Sequence, residues 1–140
     1  MTAIDIRKEL TDGTLVPGNF HAPPAGIKGE VKTITRDIDC TKQSLLAANT
    51  YDIFTVGDNL IPLEIIASVN TAGGGAGETL DIGDEDLVTR FETDLDLNNT
   101  GVTRTMDAEI EYASEKKIRI QPSANQTDTI FSVSMKYLYR

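Results

Sequence analysis

The stretch whose reading decides the fold is Ile61–Phe91, IPLEIIASVNTAGGGAGETLDIGDEDLVTRF. Ile61, Leu63, Ile65, Ala67 and Val69 fall on one side of an extended chain, and Pro62, Glu64, Ile66 and Ser68 on the other. A period of two is the mark of a strand with one buried face. Ile66 is the exception, an apolar residue on the polar side. Pro62 has no amide hydrogen to give to a ladder, so it belongs at a strand start or an edge. The run Gly73–Gly77 then reads as a flexible inter-strand loop, with glycines allowing positive φ. Glu78–Ile82 is a second short strand. Asp84–Phe91 is the one plausible helix of the body, with Asp84 as its cap and Leu87, Val88 and Phe91 on a shared face.

The same period of two recurs on both sides of this block. Glu30–Ile38 is a mixed strand with a weak pattern, and Tyr51–Val56 is a short β-rich run. Met106, Ala108, Ile110 and Tyr112 alternate with acidic residues, and Ile118 and Ile120 alternate with Lys117 and Arg119. Phe131, Val133, Met135, Tyr137 and Tyr139 alternate with Ser132, Ser134 and Lys136. The short turn Ala113-Ser114-Glu115 predicts a hairpin of Thr105–Tyr112 with Lys116–Gln121. Seven or eight short strands, each with one apolar and one polar face, predict an all-β antiparallel β-sandwich of jelly-roll type. The expected division is an extended N-terminal arm, 1–28, and a sandwich body, 29–140. The arm contains TLVPGNFHAPPAGIKG, whose prolines and glycines exclude a helix or a central strand.

A chain of 140 residues is enough for one domain with a sizeable core. Trp is absent, so that core rests on Ile, Leu and Val. The net charge is -9, concentrated in residues 43–96, where Arg90 is the one basic side chain. An acidic middle argues against binding to a phosphate backbone, so no nucleic-acid partner is expected. Charges in MTAIDIRKEL occupy the place of a signal peptide's apolar run, and the longest apolar stretches are far short of a spanning helix. The protein is therefore expected to be soluble and made in a cytoplasm, with no membrane partner. The lone Cys40 allows no intrachain disulfide. Two matches to the glycosylation sequon, Asn98-Asn99-Thr100 and Asn125-Gln126-Thr127, read as chance without a secretory signal.

Catalytic motifs fail one by one. A phosphate loop needs Lys before its Ser or Thr, and Glu78 stands there. The acidic cluster Asp81, Asp84, Glu85 and Asp86 lacks the ligand order of a calcium loop, so no metal is expected. His21, the one histidine, sits between Phe20 and the Pro23-Pro24 pair, a poor place to serve Cys40 or a serine as base. No cofactor and no enzymatic activity are expected.

Leu63–Phe91 and the segment Lys116–Tyr139, read as a hairpin, resemble the head cement and decoration proteins of tailed bacteriophages. The features that carry the resemblance are the strand Ile65–Val69, the loop Ala72–Gly77, the core Thr79-Leu80-Asp81-Ile82-Gly83-Asp84 and the turn Asp86–Phe91. The closing run Ile118–Pro122, Ser123–Thr127 and Ile130–Tyr139 completes it. The resemblance implies a homotrimer at local three-fold positions of the virion's outer capsid surface, holding major capsid protein subunits together. Ile4, Ile6, Leu10, Leu15, Val16 and Phe20 are then the arm's candidate partner-binding residues, because they have no place in the sandwich. The alternative is a phage tail or fibre β-sandwich module binding a receptor or glycan. A small jelly-roll enzyme is a third reading.

Overall fold

The structure is a computed structural model and describes residues 29–101 and 103–139. Its elements are eight strands: β1 (Val31–Asp39), β2 (Tyr51–Val56), β3 (Leu60–Thr71), β4 (Thr79–Asp84), β5 (Glu92–Asp96), β6 (Thr103–Asp107), β7 (Lys116–Pro122) and β8 (Ile130–Tyr139). They form two four-stranded sheets, ordered β1-β8-β3-β6 and β2-β7-β4-β5, and every pairing is antiparallel. The first strand pairs with the last, the second with the seventh, the third with the sixth and the fourth with the fifth. That nested pairing is one long hairpin rolled across two layers, an order compatible with a jelly roll.

Alternation places the core between the layers. Ile65, Ala67 and Val69 of β3 and Phe131, Val133, Met135 and Tyr137 of β8 are buried from one side. Leu80 and Ile82 of β4 and Ile118 and Ile120 of β7 meet them from the other. Each such side chain contributes roughly 1.5–3 kcal/mol by leaving water, and the shared interior makes these contributions cooperative. Pro62 sits near the start of β3, beside a register shift between Pro62 and Glu64 and beyond the reach of β6, whose pairing with β3 begins at Glu64. Its missing amide hydrogen therefore breaks no ladder.

Four expectations are corrected. Asp84–Phe91 is a turn, and no helix occurs among the described residues. The segment is pinned at both ends: Asp84 pairs with Ile118 on β7, and the Phe91 amide donates to the Ile82 carbonyl at 2.9 Å. Eight residues held between two ladder positions cannot wind, and so short a helix has little stability to oppose the pairing. Thr105–Tyr112 and Lys116–Gln121 do not form a hairpin. β6 ends at Asp107 and pairs with β3, whereas β7 lies in the opposite sheet between β2 and β4. The chain from Ala108 to Glu115 crosses between layers, and Ala108 and Tyr112 are buried along the way. For the same reason Lys116–Tyr139 is not a hairpin, since β7 and β8 belong to different sheets. The facing at the start of β3 also differs: the register shift between Pro62 and Glu64 buries Pro62 and leaves Ile61 and Leu63 on the other side, only partly buried. Sequence periodicity did not mark β5.

The weak pattern of β1 also has a cause. Arg36 occupies an inward position between Ile34 and Ile38 and is 4% exposed. Its Nε donates to the Ile53 carbonyl at 2.6 Å, and its guanidinium lies 5.7 Å from the centre of the Phe54 ring. It thus ties the edge strand of one sheet to the edge strand of the other, and an inward charge at a sheet edge disfavours stray strand pairing.

Candidate interaction surfaces

The connections β1–β2, β3–β4, β5–β6 and β7–β8 meet at one end of the sandwich, as bonds from Ala47 to Asn125, Gly73 to Leu97 and Gly74 to Asp128 show. The glycine loop lies there and is tied down from three sides. The Gly74 amide donates to the Asp128 carboxylate at 3.0 Å, and the Gly75 amide to Glu78 Oε1 at 2.5 Å. Asn98 Nδ2 donates to the carbonyls of Gly73 and Gly75, while Asn98 Oδ1 accepts from the Glu78 amide at 2.7 Å. Glycine is needed for close approach as much as for φ. A Cβ on Gly73 would stand 2.6 Å from Thr129 Oγ1, and one on Gly75 would stand 2.6 Å from Glu78 Oε1. The loop is therefore anchored, which replaces the expectation of a flexible connection. It also explains the failed phosphate motif: amides that would cradle a phosphate are already donating to carboxylates of the chain itself.

The acidic turn lies at the opposite end, and its carboxylates are separately engaged. Asp81 accepts from the Asp94 amide at 3.0 Å, Glu85 from the Lys117 amide at 2.8 Å, and Asp86 pairs with Lys116 Nζ at 3.2 Å. Asp84 is 1% exposed and is the hub. Its Oδ1 accepts from the amides of Asp86 and Leu87, and its Oδ2 from Tyr112 Oη at 2.7 Å and Arg90 Nε at 2.6 Å. Burial pushes the Asp84 carboxyl up, but donation by Tyr112 and the Leu87 amide, the Arg90 charge and the Asp86 amide outweigh it, so its pKa falls below the ordinary aspartate value. Burial, then donation to Asp84, raises the Tyr112 phenol. Gly83 lies beneath the turn: a Cβ there would come within 2.1 Å of the Leu87 carbonyl oxygen. Among the described residues no group of three or more His, Cys, Asp or Glu is placed to hold a metal ion.

The outer faces of the two sheets differ. On the β2-β7-β4-β5 sheet the chain covers itself. Asp52 is buried beneath Arg119 at 2.9 Å and Lys117 at 3.9 Å, and the acidic turn folds over Gly83. The β1-β8-β3-β6 sheet presents a face that no other described segment covers, and its residues line up in rows across the strands. One row is Thr35, Ser134, Ile66 and Thr105, and the next is Asp37, Ser132, Ser68 and Thr103. Val31, Leu138 and Ile61 form an apolar row near the end where residue 29 enters the body. Between them Lys136 stands opposite Glu64, at a groove of about 460 Å³ also lined by Leu63, Thr105, Asp107 and Glu109.

The arm residues Ile4, Ile6, Leu10, Leu15, Val16 and Phe20 lie outside the described residues, as does His21. Cys40 is 1% exposed, and burial, then the negative charges of Asp39, Asp128 and Glu78, push its thiol up to about 12. Such a thiol is a poor nucleophile. Sequence reasoning missed Arg36, Asn98, Tyr112 and Asp128 as organising groups. Asn98 was visible only as part of a chance sequon, and nothing in its neighbourhood announces a partner twenty residues away.

No family model matches the chain, and no curated protein sequence does. Solved structures do. The chain is similar to one in the capsid of Ralstonia phage GP4, with a TM-score of 0.64 and 15% identity over 86% of this chain and 91% of that one. A chain of the Cyanophage Pam1 capsid asymmetric unit matches with a TM-score of 0.63 and 18% identity over 88% and 94%. A chain of the acidic stable capsid structure of Helicobacter pylori bacteriophage KHP30 matches at 0.63 and 12% over 80% and 90%. The fold is shared.

Proposed function

We propose that the chain is a structural virion protein of a tailed bacteriophage, a cement or decoration protein that binds the outer head surface and stabilises contacts between major capsid subunits. The observation that carries this reading is the fold correspondence along nearly the whole length of chains found in three phage capsids. It joins the sequence resemblance of Leu63–Phe91 and the β7–β8 region. The site geometry supports a role without catalysis: the glycine loop and the acidic turn spend their donors and acceptors on the fold itself, and Cys40 is buried. In this reading the protein is a homotrimer on the capsid surface, its body is residues 29–140, and residues 1–28 add contacts to a neighbouring capsid subunit. No cofactor takes part.

The test uses heads assembled without this protein. Purified chain is added back, its position is read by electron cryomicroscopy, and DNA release on heating is followed. The expected result is ordered density at local three-fold positions and release at a higher temperature. Density only on the tail, or no binding to heads, sinks the reading and favours a receptor-binding or glycan-binding module.

A further inference from the structure

We propose that the outer face of the β1-β8-β3-β6 sheet docks on a positively charged protein surface, one that meets it with arginine or lysine side chains around an apolar contact. This rests on the reading of the chain as a protein of the head surface, and it specifies the face used and the chemistry that face selects.

Ile66, the apolar residue that interrupts the polar side of β3, is half-buried in the middle row of this face, between Ser134 and Thr105. The row on one side of it holds Lys136, Glu64 and Asp107, and the row on the other side begins at Asp37. Rows two residues apart along a strand are about 7 Å apart, so the carboxylates stand around an apolar centre and are not gathered at one point. An apolar middle with a charged rim is the layout of a protein-docking surface. The hydroxyls in between are partly spent on one another. Thr35 Oγ1 and Ser134 Oγ are 2.8 Å apart, and Ser68 Oγ and Thr103 Oγ1 are 3.3 Å apart. Paired hydroxyls lose less when water is removed, so a partner can cover them at low cost.

Charge selects the occupant. Asp37, Glu64 and Asp107, with Glu109 at the groove, face Lys136 as the one cation of these rows among the described residues. Glu64 and Asp107 stand directly opposite each other on neighbouring strands, and like charges so placed destabilise a sheet. A cation brought between them removes that repulsion, and the fork of a guanidinium can donate to both carboxylates at once. The groove beside them, about 460 Å³, has room for such a side chain. A second copy of this chain, with a net charge of -9, is repelled by the same carboxylates, and so is a phosphate backbone. The acidic turn does not compete for this partner on equal terms. Its Asp84, Glu85 and Asp86 already take donors from the chain itself, whereas the carboxylates of Asp37 and Glu64 have no hydrogen-bond or ion-pair partner among the described residues. They are open to donors from outside.

The experiment has two arms, both with the full chain. In the first, binding to heads assembled without this protein is measured by co-sedimentation at low and high salt. Asp37→Lys and Asp107→Lys reverse charge at exposed positions of the face, and Glu115→Lys makes the same change in net charge at an exposed position of the β6–β7 connection. Circular dichroism checks that each variant is folded. In the second arm, isotope-labelled chain is titrated with a synthetic peptide carrying Arg on both sides of a Leu, and amide shifts report where it binds. The expected result is that salt weakens wild-type binding, that Asp37→Lys and Asp107→Lys raise the dissociation constant by about tenfold or more while Glu115→Lys does not, and that the peptide shifts the amides of Thr35, Ile66 and Thr105 more than those of the acidic turn. Folded face variants that bind heads as well as wild type overturn the proposal and leave the functional reading standing. A peptide that maps to the acidic turn or spreads evenly over the chain also overturns it. Wild type that ignores heads while the peptide maps to the face sinks the functional reading and upholds the face as a dock for a different basic protein.

Discussion

Asp84 shows how a single side chain can define a turn that sequence pattern misreads. Its four hydrogen bonds reach the turn backbone, Arg90 and the crossing segment at Tyr112. Replacing it by Ala leaves the Tyr112 hydroxyl and two amides without their acceptor. The expected loss is about 3 kcal/mol in urea unfolding, near the low end for a broken buried pair because Arg90 is partly exposed and can be rehydrated. An unchanged midpoint would show that the hub is dispensable. The pH dependence follows from its lowered pKa: the unfolded chain binds the proton more tightly, so this stabilisation is complete above the unfolded value, roughly 3.9, and is lost as pH falls through the folded one. Asp84→Asn should flatten the acid limb of the stability profile. Cys40 behaves in the opposite sense. With its thiol pushed up to about 12 from 9.0, its contribution is complete below about pH 9 and is lost as pH rises through 12. At neutral pH a thiol-specific disulfide reagent should label Cys40 only as fast as the protein opens. Rapid stoichiometric labelling of the native protein would contradict its burial.

Among the elements, the glycine loop is where composition and structure diverge most. Glycines read as freedom, yet here they admit the close approach of Glu78, Asp128 and Thr129. The loop's order comes from acceptors supplied by other connections, with Asn98 the chief among them. Asn98→Ala removes donors to two loop carbonyls and an acceptor for the Glu78 amide. A loss of about 2 kcal/mol is expected, together with faster hydrogen exchange at Gly75 and Glu78 and little change in β8. Uniform acceleration across the sheets would mean that the loop and the sandwich open as one unit. The β6–β7 connection makes a related point. Ala108 and Tyr112 alternate with polar residues as a strand would, because the chain passes between the layers while burying every second or fourth side chain. Alternation reports burial, and it does not say which strand lies alongside.

At the scale of the whole molecule, the buried apolar side chains among the described residues run from Ile38 to Tyr137 and fill the space between the two sheets. Deleting residues 1–28 should therefore leave a cooperatively folding body, checked by the steepness of its thermal transition. On the functional reading, the same deletion lowers occupancy on heads, since Pro17, Pro23 and Pro24 restrict the arm and reduce the entropy lost when it docks. Full occupancy and unchanged head stability after deletion would mean that the arm adds no contact.

The sequence by itself determined the fold class, the location of six of the strands and the inward face of the regular ones apart from the start of β3, because period-two burial is a local property that each strand carries alone until a bulge reverses it. It also marked Pro62 as incompatible with an interior ladder position and Ile66 as out of place on a polar face. Only the tertiary structure decided which strands pair and which connections cross between layers. It alone brought Asp84 to Tyr112, Asn98 to the glycine loop and Arg36 to Phe54. Those contacts join residues far apart in the chain, and their energy comes from partners that local periodicity does not specify. A buried charge such as Arg36 or Asp84 looks locally like an error in the pattern, and it becomes intelligible only when the folded chain supplies the groups that satisfy it, the opposite layer for Arg36 and the turn and crossing segment for Asp84.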